Sequence, residues 1–264
     1  MQVKLSQAVK MFFGNSSLEM VFFEAIANAL DAEANEITIS ITAKALNQPE
    51  TLQIEISDNG LGFTNERYNK FSKLFDVEES SHKGLGRLVY LCYFDDVKVI
   101  SNYDKVKVRE FDFNEGFKED NFKSSIVPET KSGTVFKMTS YVLQRIAKNE
   151  YVSADYLKSR ILQEFYSRLF HLKDNGQRVV ININTNIENH KKELILLNSD
   201  IPKFKTVELE SSVNLIDTFY LHYSIKEVDP SESSLIAAVS VDNRTVKVDI
   251  VAEENIPTGY EMVF

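Results

Sequence analysis

Residues 22–31, FFEAIANALD, are the stretch from which the rest of the chain can be read. In a helix from Ser16 to Ala32, Glu24, Asn28 and Asp31 stand at i, i+4 and i+7, within roughly 60° of arc at 100° per residue. One face therefore holds two carboxylates and an amide. Phe22, Phe23, Ala25, Ile26, Ala29 and Leu30 cover most of the remainder, so the helix is expected to be buried nearly all round, with its polar stripe facing something other than bulk water.

The chain around this stretch is long enough, at 264 residues and 43% hydrophobic, to bury a full core. No apolar run is long enough to span a bilayer, and the start, MQVKLSQAVKMFF, lacks the pattern of a signal peptide; no membrane association is expected. A single cysteine, Cys92 in the apolar run LVYLCYF, excludes an internal disulfide and a cysteine-based zinc site, and fits a cytoplasmic location. A net charge of −9 argues against non-specific nucleic-acid binding, which depends on Lys and Arg neutralising phosphates. His82, His171, His190 and His222 are scattered singly, without the i, i+4 pairing of zinc proteases.

Immediately before the helix, residues 1–15 read as an arm or short helix ending in a turn at Gly14-Asn15, and Ser16 to Glu19 (SSLE) has the spacing of a capping box. After it, EITISITA (36–43) and LQIEIS (52–57) alternate as strands and form an antiparallel hairpin. The second strand runs into Asp58-Asn59-Gly60-Leu61-Gly62-Phe63. Asp-Asn-Gly by itself reads as a hairpin turn. The following residues, TNERYNKFSKLFD (64–76), instead carry a capping threonine and helical spacing of Tyr68, Phe71, Leu74 and Phe75. Asp58 is thus expected at a strand end, where a carboxylate accepts from an amine, with two glycines that let backbone approach a flat ligand.

Lys83-Gly84-Leu85-Gly86-Arg87 then precedes a helical run, 88–94; glycines ahead of a helix present free N–H groups to an anion, and Lys83 and Arg87 add charge. Strands are expected at 97–101, 106–113 and 133–140, an irregular stretch at 114–131, a long helix at 154–173 and a strand at 179–183. From Thr185 onward the character changes to short β-type runs, with Asp242-Asn243-Arg244 as a hairpin turn. A soft boundary is placed near residue 187.

Four motifs, Glu24-x-x-x-Asn28-x-x-Asp31 on a helix, Asp58-x-Gly60-x-Gly62 after a strand, Gly84-x-Gly86 before a helix and Gly133-Thr134 opening a strand, occur in the order seen in the GHKL ATPases. That superfamily includes gyrase B, the large heat-shock chaperones, sensor histidine kinases, MutL and the MORC ATPases. Each motif alone is ordinary turn or helix chemistry; their shared order carries the resemblance, over about residues 16 to 185. It implies an α+β fold, a two-layer α/β sandwich of the Bergerat type with a mixed, mostly antiparallel sheet and helices on one face, here followed by a smaller β-rich C-terminal segment. The implied domains are 1–187 for ATP binding, with arm 1–15 and ATP lid 64–87, and 188–264 as a partial transducer-like segment.

The resemblance also implies roles. Asn28 would hold Mg²⁺, Glu24 would activate the attacking water, and Asp31 would fix local geometry. Asp58 would accept from the adenine amine, Gly60 and Gly62 would leave room for the ring, and Thr134 would bond at the same end. Lys83, Gly84, Leu85, Gly86 and Arg87 would meet the phosphates of ATP. The implied activity is slow, Mg²⁺-dependent hydrolysis of ATP to ADP, driving lid closure and nucleotide-dependent homodimerisation toward an unidentified protein or DNA client. Two other readings stay open at this level: a nucleotide-sensing module with little turnover, and a plain interaction domain. No phospho-acceptor histidine precedes the nucleotide motifs, which places the chain nearer MutL, MORC and chaperone-like members than sensor kinases. Lys203, Lys205, Lys226 and Lys247 are all candidates for the lysine that some members send to the γ-phosphate, and no motif selects among them.

Overall fold

A computed structural model describes residues 16–73, 85–210, 218–241, 244–248 and 257–264, together with Val9, Phe13 and Gly14. The described elements form two compact units, one made of the residues up to Ile161 with Val179–Leu196, the other of Leu162–Arg178 with Leu197–Phe264. The expected cut near residue 187 is a single break in the chain, whereas these units interleave along it. No described helix is long and apolar enough to cross a membrane.

The first unit is built on an eight-stranded sheet, order β5-β4-β3-β6-β2-β1-β7-β8. Its strands are β1 (Glu36–Ala43), β2 (Gln53–Asp58), β3 (Phe94–Tyr103), β4 (Lys107–Phe113), β5 (Lys123–Ile126), β6 (Gly133–Tyr141), β7 (Val180–Ile187) and β8 (His190–Leu197). Strand β7 runs parallel to β1, and the other registered pairs are antiparallel, which makes the sheet mixed as the resemblance implied. Strand β5 lies within the stretch expected to be irregular. The hairpin from β7 to β8 turns on Glu188 (φ 55°) and Asn189 (φ 64°), two consecutive left-handed residues whose twist suits a two-residue loop.

Register stacks the inward side chains into cross-sheet rows. Phe113, Val97, Met138, Ile54 and Ile41 form one row across β4, β3, β6, β2 and β1. Phe111, Val99, Phe136, Ile56 and Ile39 form the next. All ten are buried. The third row reads Arg109, Ser101, Thr134, Asp58 and then Ile37: the same inward face turns polar over four strands. The other face is open, and carries half-exposed ion pairs such as Lys137–Glu55 (3.2 Å) and Lys98–Glu110 (3.5 Å) that add little stability.

Helix α1 (Glu19–Asp31) buries Val21, Phe22, Phe23, Ala25, Ile26, Ala29 and Leu30. Its C-terminus closes with Glu33 in the left-handed region (φ 62°), with Glu33 N–H on Leu30 O and Ala34 N–H on Ala29 O, a Schellman arrangement. The expected capping box at Ser16–Glu19 does not form. The helix starts at Glu19 after Leu18, which makes no side-chain cap, and the Glu19 carboxylate is occupied elsewhere. It accepts from Tyr156 Oη (2.9 Å), Arg160 Nε (2.8 Å) and Ser17 Oγ (3.2 Å), a buried network stronger than a cap at a helix start.

Helix α2 (Asn65–Ser72) is capped by Thr64, whose hydroxyl accepts from Arg67 N–H at 3.3 Å. It buries Tyr68 and Phe71 against Phe111, with Phe71 also touching Phe113, so the first part of the expected 64–87 lid is a packed helix. Residues 74–84 of that stretch, Lys83 and Gly84 among them, lie outside the described residues, as does most of the 1–15 arm. A 3₁₀ turn, Gly86–Val89, leads into the short helix α3 (Tyr90–Tyr93). The helix expected at 154–173 is two: α4 (Ala154–Glu164) and α5 (Tyr166–Asp174), parted at Phe165 (φ −107°, ψ 15°).

The second unit contains α5 and a four-stranded sheet, order β11-β14-β10-β9, of β9 (Lys205–Glu210), β10 (Thr218–Glu227), β11 (Ser234–Ile236) and β14 (Tyr260–Val263). Beside it, β12 (Ala238–Val241) and β13 (Arg244–Lys247) pair antiparallel, Val241 opposite Arg244. Of the turn expected at 242–244, Asp242 and Asn243 lie outside the described residues.

The Glu19 network gives the first unit a pH-dependent term. Burial alone would raise the carboxyl, but the bonds from Arg160, Tyr156 and Ser17 outweigh it and lower it below its ordinary 4.5. A depressed acid stabilises the fold above that value and loses the contribution as pH falls through the folded value. Glu19→Gln is expected to cost roughly 1–3 kcal/mol at pH 7, by chemical denaturation, and the deficit should shrink as the pH is taken below 4.5.

Candidate functional site: a polar row meeting a polar helix stripe

The polar row centres on Asp58. One carboxylate oxygen accepts from Gly60 N–H at 2.8 Å, and the Thr134 N–H donates to the same group from the neighbouring strand. Burial pushes the Asp58 carboxyl upward, and these two donors with the nearby Arg67 cation oppose the rise. Thr134 is 5% exposed and Ser101 0%. Ser101 Oγ accepts from Phe63 N–H at 2.7 Å and lies 3.2 Å from Thr134 Oγ1, so the loop after Asp58 is fastened to strands β3 and β6.

The glycines leave no room beside this row. A Cβ on Gly60 would lie 2.6 Å from Ala32 O, and one on Gly62 (φ +71°) 2.8 Å from Ser101 Oγ. Leu61 N–H donates to Ala32 O (2.8 Å), a carbonyl past the end of α1, so the loop is moored to the helix that carries the polar stripe. Asn59 completes the joint: its Oδ1 accepts from Asn35 N–H and Glu36 N–H, both at 3.0 Å.

On α1 the structure brings two of the three stripe residues together. Asn28 Nδ2 donates to Glu24 Oε1 (3.1 Å) and approaches Tyr90 Oη (3.5 Å). Both side chains are half-buried, while Asp31 is exposed, and its backbone carbonyl accepts from Arg67 Nη2 at 2.6 Å. With the Asn28 nitrogen engaged by Glu24 and Tyr90, its Oδ1 is the atom left for an outside partner. Tyr90 is fully buried, its hydroxyl held well above its ordinary range by burial and then by the nearby Glu24 carboxylate; Asp58 adds to the same effect. One buried phenol therefore senses both the stripe and the polar row. Gly86 completes the stripe's surroundings, because a Cβ there would collide with the Glu24 carboxylate.

Arg87 differs most from its expected role as a phosphate donor. Its side chain turns inward and is 5% exposed. Nη1 donates to Lys70 O (3.3 Å) and Nη2 to Lys73 O (3.2 Å), and the guanidinium stacks 4.8 Å from the Phe71 centroid. These are carbonyls at the C-terminal end of α2, where a cation is favoured. Burial lowers its pKa to about 10, against the Glu24 carboxylate, which supports the charge. Cys92 is half-buried with its thiol pushed up by burial, the opposite of an activated nucleophile.

Four residues outside the expected set belong to this region: Asn59, Tyr90, Ser101 and Arg109. Arg109 donates to Phe63 O (2.7 Å) and to Asn65 Oδ1 (2.6 Å), inside a cage of Tyr68, Tyr103 and Phe122. The sequence signal for Ser101 and Arg109 was present: each is the inward position at which an alternating strand stops being apolar.

Residues 14–139 match the family described as histidine kinase-, DNA gyrase B-, and HSP90-like ATPase. The chain carries a GHKL-type domain over that segment, with the α/β fold of the superfamily. Among solved structures it is similar to the N-terminal domain of a DNA repair protein: 14% identity, TM-score 0.61, covering 94% of this chain and 79% of that one. It is also similar to the Aquifex aeolicus MutL ATPase domain complexed with ADP: 15% identity, TM-score 0.52, covering 94% of this chain and 90% of that one. At these identities the likeness is one of fold. A comparison with curated protein sequences finds no match.

The inward Arg87 is open to a direct check. Arg87→Met strands two helix-end carbonyls and is expected to cost roughly 1–3 kcal/mol in chemical denaturation, against under about 0.5 kcal/mol for an ordinary surface charge.

Proposed function

We propose that this chain binds Mg²⁺-ATP through the Asp58 row and the Glu24–Asn28 stripe and hydrolyses it slowly to ADP and phosphate. The observation that carries the reading is the Asn28 amide: its nitrogen is turned back onto Glu24 and Tyr90, leaving a carbonyl oxygen beside a carboxylate. Hard oxygen donors of this kind suit Mg²⁺, and the residues present fit the ion and the nucleotide. Bound there, the ion would neutralise phosphate charge during transfer.

In this reading Asp58, which accepts from the Gly60 and Thr134 N–H groups, also accepts from the exocyclic amine of the adenine. Gly60 and Gly62 let the ring lie against backbone. Glu24 orients a water and accepts its proton, one helical turn from Asn28, and Gly86 leaves space for its carboxylate. Phosphoryl transfer asks chiefly for positioning and charge compensation, which such a pocket supplies. Arg87 acts from behind, bracing α2, while Leu85 and Gly86 would meet the phosphates, a role the resemblance extends to Lys83 and Gly84, and Asp31 would support the helix terminus. We further propose that nucleotide binding closes the 64–87 segment, promotes dimerisation through the 1–15 arm and drives residues 188–264 as a transducer-like part toward a protein or DNA client in the cytoplasm. The fold shared with the ADP-complexed MutL domain supports the nucleotide reading.

Two measurements test it. Glu24→Ala should lose at least about 100-fold in steady-state ATP hydrolysis while retaining nucleotide binding, since removal of a general base costs about 10²–10⁴; parental turnover in the variant would overturn the catalytic assignment. Saturation with Mg²⁺-ATP at 100 times its dissociation constant should stabilise the parent by about 2.7 kcal/mol, and Asp58→Asn should lose most of that gain at the same concentration.

A further inference from the structure

Ser101 is completely buried beside the proposed base-binding residues, and the reading above gives it no task. Its hydroxyl has one proton and two lone pairs. Phe63 N–H takes one lone pair at 2.7 Å, and two partners remain in range: Gly133 O at 3.3 Å and Thr134 Oγ1 at 3.2 Å. A carbonyl only accepts, so the proton count allows two arrangements. If Ser101 donates to Gly133 O, its free lone pair receives the Thr134 proton, and Thr134 offers only lone pairs outward. If Ser101 donates to Thr134, the Thr134 proton is released toward a ligand.

The setting makes this choice consequential. Register sets Thr134 directly opposite Asp58 on the inward face of the sheet, and the Thr134 N–H donates to the Asp58 carboxylate. Adenine presents an exocyclic amine next to a ring nitrogen that needs a donor. Hypoxanthine presents a carbonyl next to a ring N–H. With Ser101 donating to Thr134, carboxylate and hydroxyl form an acceptor–donor pair that matches adenine, whereas hypoxanthine sets its carbonyl against the carboxylate.

We propose that Ser101 is a positioning and specificity-determining residue that, anchored by Phe63 N–H, turns the Thr134 hydroxyl into a donor beside Asp58, so that the pocket selects an amino-bearing purine. The inference rests on the nucleotide reading above. It goes beyond it by assigning base discrimination to a side chain that acts through Thr134. The close approach of Gly62 to Ser101 Oγ belongs to the same device, because only glycine lets the hydroxyl reach the Phe63 amide.

The test measures dissociation constants for ADP and for inosine diphosphate on the full chain, for the parent, Ser101→Ala, Thr134→Val and the double variant, with thermal unfolding as a fold control. Ser101→Ala is expected to weaken ADP about ten-fold and inosine diphosphate less than about three-fold, narrowing discrimination. Thr134→Val should narrow it comparably, and Ser101→Ala on the Thr134→Val background should change ADP affinity less than about two-fold, because the two act in series. Equal weakening of both nucleotides by Ser101→Ala, or full additivity in the double variant, would overturn the inference and leave Ser101 a packing residue. A parent that binds neither nucleotide would instead remove the nucleotide reading and this inference with it.

Discussion

A carboxylate on the covered face of a β-sheet is the constraint on which the rest of the structure depends. Asp58 continues an apolar row position, two residues beyond Ile56, and so must be compensated where water is scarce. The Gly60 and Thr134 amides provide this directly, and a tight loop is the only way to bring Gly60 N–H to within 2.8 Å of a side chain two residues earlier. From that requirement follow the glycine at 60, the Phe63 amide on Ser101, and the junction of Leu61 with the end of α1. One half-buried charge thus sits where four strands and a helix terminus meet.

Two buried arginines brace α2 on either side of it. Arg109 takes the carbonyls of Phe63 and Thr64 ahead of the helix, and Arg87 takes those of Lys70 and Lys73 at its end. Burying guanidinium groups is costly, and the aromatic faces of Tyr68, Tyr103, Phe122 and Phe71 offset part of that cost through cation–π contact. The aromatic cluster and the arginines therefore belong together: each guanidinium supplies donors to backbone that a purely apolar cluster would leave unpaired. This bracing sets the wall of the site formed by Gly60 to Thr64, and Arg87 also lies close enough to Glu24 for their charges to interact.

The proposed site has two chemically distinct ends. At one, Asp58 and Thr134 form a short, directional hydrogen-bonding edge suited to a planar base. At the other, Glu24 and Asn28 present oxygen atoms suited to a cation and a water. Tyr90, fully buried, accepts from Asn28 at 3.5 Å, and its hydroxyl is held well above its ordinary range by burial and then by the Glu24 carboxylate.

Much of this was legible in the residues themselves. Alternation of Ile37, Ile39 and Ile41 and of Ile54 and Ile56 determined strands and their inward face, and the four ordered motifs determined the GHKL resemblance, because period and spacing are local properties. Two residues of the stripe, Glu24 and Asn28, met as their spacing required. The remainder depended on contacts distant in sequence. Glu19 left its expected cap for Arg160, 141 positions away; Arg87 turned from a surface donor into a strut because the end of α2 presented open carbonyls beside it. Ser101 and Arg109 acquired meaning only when antiparallel register set them level with Thr134 and Asp58. Sequence by itself determined which positions face inward; only the tertiary structure decided which inward polar groups share a row, because register joins strands that the chain keeps far apart.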